Sequence, residues 1–192
     1  MAGLVTQFDG LALKTRGAPF ETLMRAVVGQ QISVVAADTV WRRLCLVVDP
    51  SRPASVLDVE PLLLRQAGLS ARKVEYVRDL ADSFFSGRID PALFAQQDDE
   101  SIIGELIAVR GIGRWSAEMF LIFNLERPDV WPVDDIGLQK AVAKLYNHGV
   151  RLPLAELRAM GERWRPCNGK FIYSKYCIFT GWVVNPPEWL SA

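Results

Sequence analysis

Two glycines near the middle of the chain could hold a phosphate group. Gly111 and Gly113 are separated by one residue and flanked by Arg110 and Arg114. Glycines permit a tight turn with uncovered backbone N–H groups, and a helix that begins after the turn presents its positive end there. The arginines could add ionic contacts, while Ile112 at the tip would point back between the flanking helices. The same residues would also suit a turn that only reverses the chain between two helices.

A pair of acids follows about twenty residues later. Asp134 and Asp135 stand after Pro132, just before an apolar pattern of helical spacing. A carboxylate at the start of a helix can accept hydrogen bonds from its first N–H groups, and the positive helix end favours the charged form. Asp134 is the better candidate for the cap. From the residues alone, both acids could be ordinary capping groups.

Helices must position these residues, because apolar residues recur at helical spacing almost everywhere and sustained alternation is hard to find. Gly29 before Ser33, and Gly68 before Ser70, predict glycine C-caps followed by serine N-caps. The acidic stretch 98–100 predicts a further helix start. The pattern indicates an all-α protein of roughly nine or ten short helices.

Composition and charge limit the classes of function. The chain has 192 residues, 22 basic and 22 acidic side chains, and 50% hydrophobic residues, which is ordinary for a globular protein. Zero net charge argues against a broad basic surface for nucleic acid, so any such binding must rest on local motifs. No stretch approaches the ~18 apolar residues of a membrane span, and residues 1–10 lack a signal-peptide pattern. We therefore expect a cytoplasmic protein.

Three cysteines, Cys45, Cys167 and Cys177, stand at wide spacings. An odd number of this kind supports neither a disulfide framework nor a four-cysteine metal or iron–sulfur site within one chain. We expect free thiols.

Three sequence blocks carry a family resemblance. Residues 106–117 read LIAVRGIGRWSA and are followed at 131–135 by WPVDD; upstream lie FETLMRAVVGQQIS at 20–33 and GLSARKVEY at 68–76. In this order and spacing they resemble the helix-hairpin-helix DNA glycosylases, and within them the 3-methyladenine DNA glycosylase II (AlkA-like) type. The resemblance covers roughly residues 18–166 and weakens beyond Pro166, where Cys167-Asn168-Gly169-Lys170 departs from the family pattern.

The resemblance implies two α-helical lobes with a central cleft. A central helical bundle would span 32–138, with the helix-hairpin-helix at about 99–124, and a second lobe would combine 1–31 with 139–192. The extra N-terminal β domain of some relatives is expected to be absent, because the family-like blocks begin within twenty residues of Met1.

The resemblance also implies roles for individual residues. Asp135 matches the catalytic aspartate, whose charge would stabilise a sugar with oxocarbenium character. Trp115 matches a pocket tryptophan that could stack on a flipped cationic base, although it could also be a core residue. Relatives that cut the strand carry a lysine there, so lyase activity is not expected. Gln30, Met119 and Ile136 would line the pocket, the last two replacing tyrosines of relatives and leaving it less aromatic.

DNA contacts are implied at two loops. Gln31 would be the wedge that fills the hole left by the flipped base, unless Gln30 and Gln31 only form a solvent-facing loop. The hairpin residues Arg110, Gly111, Ile112, Gly113, Arg114 and Ser116 would bind the DNA backbone. By position, the backbone carbonyls of Ile107, Val109 and Ile112 would hold a structural Na⁺ or K⁺. No other cofactor is expected.

These roles add up to a monofunctional DNA glycosylase of base excision repair. It would flip alkylated purines of the 3-methyladenine and 7-methylguanine type out of double-stranded DNA and hydrolyse the N-glycosidic bond, leaving an abasic site. We expect a monomer, nucleoid-associated in a prokaryote. Three alternatives stay open: a glycosylase of the same fold for oxidised or mismatched bases, a non-catalytic helix-hairpin-helix DNA-binding module, and an all-α protein-interaction domain.

Overall fold

The computed structural model describes residues 17–163 and 165. Within them the chain forms nine α-helices, one short 3₁₀ turn at Pro91–Leu93, and no strand, which confirms the all-α prediction. The helices are α1 (Pro19–Gly29), α2 (Val34–Leu44), α3 (Pro53–Asp58), α4 (Pro61–Gln66), α5 (Ala71–Phe85), α6 (Asp99–Ile107), α7 (Arg114–Phe123), α8 (Ile136–Tyr146) and α9 (Leu154–Glu162).

Short polar side chains start the helices where the sequence predicts. The hydroxyl of Ser33 accepts from the Ala36 N–H at 3.3 Å, and that of Ser70 accepts from the N–H three residues later at the same distance. The predicted C-cap at Gly29 is wrong. Gly29 is still helical, the C-cap is Gln30, and the left-handed conformation falls on Gln31. The turn is therefore made by the two glutamines rather than by the glycine.

The chain divides into two compact units, one ending at Phe120 and the other beginning at Leu121. This grouping differs from the lobes expected at 32–138 and at 1–31 plus 139–192, and those boundaries stay a prediction.

Helix α5 is the central element of the first unit. It packs against α1, α3 and α4, while α1 also packs against α2. The contacts come from its apolar stripe, of which Val77, Leu80 and Ala81 are fully buried. Phe84 near its end meets Phe20 of α1 edge to face, with ring centroids 5.3 Å apart. Burying each large apolar side chain contributes about 1.5–3 kcal/mol, so this stripe fixes α5 firmly.

In the second unit, α9 packs against the segment that leads to the paired acids. The Trp131 indole N–H donates to the Leu157 carbonyl at 2.8 Å. A Cβ added at Gly161 would lie closer than 3.0 Å to three atoms of the Trp131 ring. Only a glycine lets the ring approach the helix backbone this closely.

Other expectations are tested only in part by the described residues. No helix among them is long and apolar enough to cross a membrane. Cys45 is a free, exposed thiol, whereas Cys167, Cys177 and the departure from the family pattern after Pro166 lie outside the described residues.

Candidate active site and nucleic-acid interface

The predicted hairpin is present between α6 and α7. The chain reverses over residues 108–113, with Gly111 at φ +82°. The N–H of Ile112 donates to the Val109 carbonyl at 3.2 Å, and the Ile112 side chain is buried as expected. The Gly113 carbonyl accepts from the Ala117 N–H at 3.1 Å, so Gly113 directly precedes the first turn of α7.

Backbone donors are exposed to a ligand at this first turn. The N–H groups of Gly113, Arg114 and Ser116 make no hydrogen bond to any described residue. Such donors at a helix N-terminus, together with the helix dipole, suit an anionic oxygen. The hairpin therefore has the backbone geometry that phosphate binding requires.

The two hairpin glycines are needed for different reasons. A Cβ added at Gly111 would lie closer than 3.0 Å to three ring atoms of Tyr76, so the turn and the ring exclude any side chain there. A Cβ added at Gly113 would meet no described atom within 4 Å. Gly111 thus serves packing inside the fold, whereas Gly113 leaves the outer surface of the hairpin bare.

The two arginines beside the hairpin differ in whether they form ion pairs. Both oxygens of the Glu100 carboxylate accept from the Arg114 guanidinium, which also donates from Nε to Glu118 at 3.0 Å. The Glu100 pair raises the pKa of Arg114 and lowers that of Glu100. Arg114 is therefore already paired, contrary to the simple expectation of an available cation. The exposed Arg110 side chain makes no ion pair with the described residues.

The glutamine loop, residues 30–33 between α1 and α2, holds its two glutamines in different surroundings. Gln30 is half-buried, and its side-chain amide donates to the Gly111 carbonyl at 2.9 Å. Gln31 is exposed at φ +58°, a conformation uncommon for a residue other than glycine. Beyond it, Ile32 and Val34 are exposed. This loop and the first residue of α2 therefore offer Gln31 and two apolar side chains to a partner, and of these the sequence indicated only Gln31.

Helix α5 holds both loops, a role that sequence reasoning missed. The Lys73 ammonium donates to the carbonyls of Val28 at 2.6 Å and Gln30 at 2.8 Å, and partial burial lowers its pKa. Asp79 accepts from the Arg110 N–H at 2.7 Å. Lys73 lies within the family-like block at 68–76, but its residue type indicated no partner.

The helix cap lies on the second residue of the acid pair, one residue later than predicted. Asp135, not Asp134, is the N-cap of α8: its Oδ1 accepts from the Leu138 N–H at 2.6 Å. Its own N–H donates to the Pro132 carbonyl at 3.0 Å. Asp135 is only 3% exposed, whereas Asp134 is exposed. The residue proposed for chemistry is thus a buried carboxylate fixed at the first turn of a helix.

The predicted pocket residues are accessible. Trp115 on the first turn of α7 is 45% exposed, which argues against the core alternative, and Met119 one turn later on the same side is half-buried. Ile136, the first residue of α8, is 58% exposed. Trp115 and Ile136 each present accessible apolar surface at the first turn of a helix.

The hairpin carbonyls are compatible with a monovalent cation. Those of Ile107 and Ile112 accept no hydrogen bond from the described residues, and that of Val109 accepts only the turn bond from Ile112. Oxygens at the C-terminal end of a helix lie at its negative pole. The described part of the chain contains no group of three His, Cys, Asp or Glu side chains that could hold a metal ion.

Comparison with known proteins places these features in a family. Residues 24–166 match the model of the HhH-GPD superfamily base excision DNA repair protein. A DNA-3-methyladenine glycosidase from Bacillus halodurans has a similar structure, with a TM-score of 0.80 and 31% identity over 98% of this chain and 92% of that one. The Schizosaccharomyces pombe 3-methyladenine DNA glycosylase Mag1, solved in complex with abasic DNA, gives a TM-score of 0.76 and 27% identity, with coverages of 92% and 89%.

Among curated proteins, DNA-3-methyladenine glycosylase 1 of Schizosaccharomyces pombe is 34% identical over 70% of this chain. The putative DNA-3-methyladenine glycosylase YfjP of Bacillus subtilis is 25% identical over 86% of it. This chain spans 59% and 61% of the length of those two relatives. The matched region includes the hairpin, the glutamine loop and the acid pair, and the chain belongs to the HhH-GPD superfamily of base excision DNA repair proteins.

Proposed function

We propose that this chain is a monofunctional DNA glycosylase that removes alkylated purines, of the 3-methyladenine and 7-methylguanine type, from double-stranded DNA. The observation that carries the proposal is Asp135, a buried carboxylate held at the start of α8 within a chain of the HhH-GPD superfamily. Support for the substrate class comes from the names of relatives at 25–34% identity. The product would be a free base and an abasic site, and we expect a monomer in the compartment that holds the DNA.

The chemistry needs one anion near the sugar. Breaking an N-glycosidic bond develops positive charge on the sugar ring, and a preorganised carboxylate stabilises that charge without reorganising at the moment of reaction. Asp135 fits because burial limits its contact with water while the Leu138 N–H fixes one of its oxygens. The same carboxylate can also orient the water that completes hydrolysis.

An exposed tryptophan could select the base. Methylation at N3 or N7 gives the purine a positive charge, which makes the base a better leaving group. Trp115 could stack on such a base in a cation–π contact of about 0.5–2 kcal/mol. Its position on the first turn of α7 leaves 45% of its surface accessible. Met119, half-buried one turn further along α7, would add apolar but not aromatic surface beside Trp115, which favours broad rather than narrow selectivity.

DNA would be held by the hairpin and opened by the glutamine loop. The N–H groups of Gly113 and Ser116 suit a phosphate oxygen. Gln31 would enter the space of the flipped base and hydrogen-bond to the base left behind. The carbonyls of Ile107, Val109 and Ile112 would hold a monovalent cation, which would add positive charge beside the same phosphate.

The test is incubation of the protein with methylated duplex DNA, followed by measurement of free base and of alkali-dependent strand cleavage. Asp135→Asn should lower the rate of base release about 10²–10³-fold and leave DNA binding intact. The fold should survive because asparagine caps helices as well as aspartate does. Asp134→Asn is the matched control and should act within twofold of the parent. Equal rates for parent and Asp135→Asn, or a selective loss in Asp134→Asn, would refute the assignment.

The absence of lyase activity has its own test. Strand cleavage through a Schiff base requires an amine at the sugar, and Trp115 stands where strand-cutting relatives carry lysine. Borohydride should therefore trap no covalent protein–DNA adduct. Trp115→Lys should lose release of cationic bases and gain little cleavage, since an amine must also lie within reach of C1′. A strong adduct with the unmodified protein would overturn the monofunctional assignment.

A further inference from the structure

One face of α5 connects the glutamine loop to the hairpin. Lys73, Tyr76 and Asp79 follow each other at three-residue spacing, so they lie along one side of the helix. Each contacts a loop that the proposed function assigns to DNA. We propose that Lys73 is a positioning residue that sets the distance between the Gln31 wedge and the phosphate-binding hairpin. This inference rests on the proposed function.

The first link is between Lys73 and the end of α1. Its ammonium donates to the carbonyls of Val28 at 2.6 Å and Gln30 at 2.8 Å. These are terminal helix carbonyls without further turns to satisfy them, and a cation at the negative helix end is favourable. Charge-assisted hydrogen bonds of this kind are stronger than neutral ones. Lys73 therefore fixes the backbone immediately before Gln31.

The second link is between the hairpin and the following turns of α5. The Tyr76 ring lies so close to Gly111 that no Cβ fits between them. The carboxylate of Asp79 accepts from the Arg110 N–H at 2.7 Å. Packing on one residue and a hydrogen bond to its neighbour leave the hairpin little freedom to slide along α5.

Gln30 connects the glutamine loop directly to the hairpin. Its backbone carbonyl is held by Lys73, while its side-chain amide donates to the Gly111 carbonyl at 2.9 Å. The two loops are thus joined directly as well as through α5. Releasing Lys73 would free the Gln30 backbone and, through its side chain, let the glutamine loop and the hairpin shift relative to each other. Gln30 is accordingly tied to positioning rather than available to read a base.

The functional consequence is geometric. A wedge can replace a flipped base only if it lies at a set distance from the phosphates that the hairpin holds. Displacing a positioned group by about 1 Å can cost about 100-fold in rate. The hairpin alone still binds undamaged duplex, because phosphate contact does not need the wedge.

The experiment compares Lys73→Met and Lys73→Arg with Arg72→Met as the matched control. Arg72 is the exposed neighbour on α5, so both methionine variants remove one positive charge from the same turn. Single-turnover release of 7-methylguanine should fall about 10- to 100-fold in Lys73→Met, while its affinity for undamaged duplex stays within about twofold of the control. Lys73→Arg, which keeps a charged donor, should recover most of the rate.

Two results would overturn the inference. One is a rate for Lys73→Met within twofold of Arg72→Met. The other is an equal loss of affinity for undamaged duplex, which would make Lys73 a DNA contact or a general folding residue. If Lys73→Met does not fold, Lys73→Gln takes its place, because its shorter amide cannot donate to both carbonyls.

Hydrogen exchange separates this inference from the proposed function. In Lys73→Met, amide exchange should rise in both 29–33 and 109–113, and in neither segment of Arg72→Met. If the parent released no methylated base, the proposed function would fail, yet the exchange result would still decide the coupling. Faster exchange confined to 29–33 would show that Lys73 holds only the glutamine loop, and it would refute the coupling to the hairpin.

Discussion

A methyl group added at Gly111 is expected to destabilise the fold, whereas the same group at Gly113 is expected to weaken only DNA binding. The two glycines share one turn, so Gly111→Ala and Gly113→Ala are matched in chemistry and in place. At Gly111 the methyl carbon would lie closer than 3.0 Å to the Tyr76 ring, and φ is +82°. At Gly113 no described atom lies within 4 Å.

The magnitudes follow from those surroundings. An alanine in the left-handed region costs about 1–2 kcal/mol, and forcing a methyl group against a packed ring costs about 1–3 kcal/mol more. Gly111→Ala should therefore lower the free energy of unfolding by about 2–5 kcal/mol, or Tm by about 4–20 °C for a chain of this size. At Gly113 a weaker helix cap, worth about 0.5–1 kcal/mol, is offset by about 0.4–1 kcal/mol from reduced freedom of the unfolded chain.

Urea unfolding and fluorescence anisotropy with duplex DNA are the assays. Gly113→Ala should unfold within about 0.5 kcal/mol of the parent but bind duplex about 10- to 100-fold more weakly, because the methyl group keeps a phosphate from the exposed N–H groups. The loss should be equal for damaged and undamaged DNA, since the hairpin reads no base. Unchanged affinity in Gly113→Ala would show that the hairpin is only a turn.

Three further outcomes are expected. Gly161→Ala should destabilise the fold by about 1–3 kcal/mol because Trp131 covers that position. Its control, Gly104→Ala, adds a methyl group where the helix has open space and should stabilise the fold by up to about 1 kcal/mol. Equal effects of the two variants in urea unfolding would refute the packing argument. Glu100→Gln should release Arg114 to the DNA and steepen the slope of log K against log salt by up to about 0.9; an unchanged slope would mean that Arg114 stays with Glu118. The ion pair with Arg114 lowers the pKa of Glu100. The stability that this ion pair contributes is therefore present above about pH 4.3, the unfolded value, and is lost as pH falls through the folded pKa. The difference in unfolding free energy between the parent and Glu100→Gln should shrink in acid.

Local chemistry was enough to predict the hairpin and the helix starts at Ser33, Ser70 and Asp98. Gly111 and Gly113 specify a turn through backbone freedom, and Ser33 and Ser70 specify caps through a bond to a residue three positions away. The acid pair shows where local chemistry becomes ambiguous. Either carboxylate has the chemistry of a cap, and the sequence favoured Asp134. The structure selects Asp135, whose N–H donates to the Pro132 carbonyl, in a turn that the sequence allows but does not impose.

Contacts between distant segments could not be predicted from the sequence. Glu118 lies four residues after Arg114 on one helix, so that pair follows from helical spacing. Glu100 lies on α6, and its pairing with Arg114 depends on how the hairpin brings the two helices together. The sequence therefore predicted two available arginines where the structure has one exposed and one paired.

The role of α5 lies furthest from what a sequence can specify, because Lys73, Tyr76 and Asp79 are ordinary residues for the exposed side of a helix. Their role becomes visible only at the hairpin, where the Tyr76 ring leaves no room for a Cβ at Gly111, a position that also has φ of +82°. The two glycines alone therefore do not determine the conformation of the turn. Without α5, residues 99–124 would keep the glycines but lose the ring that Gly111 packs against and the Asp79 carboxylate that holds Arg110. The hairpin conformation that we propose binds phosphate therefore depends on tertiary packing, and it is stabilised by the same helix that holds the glutamine loop.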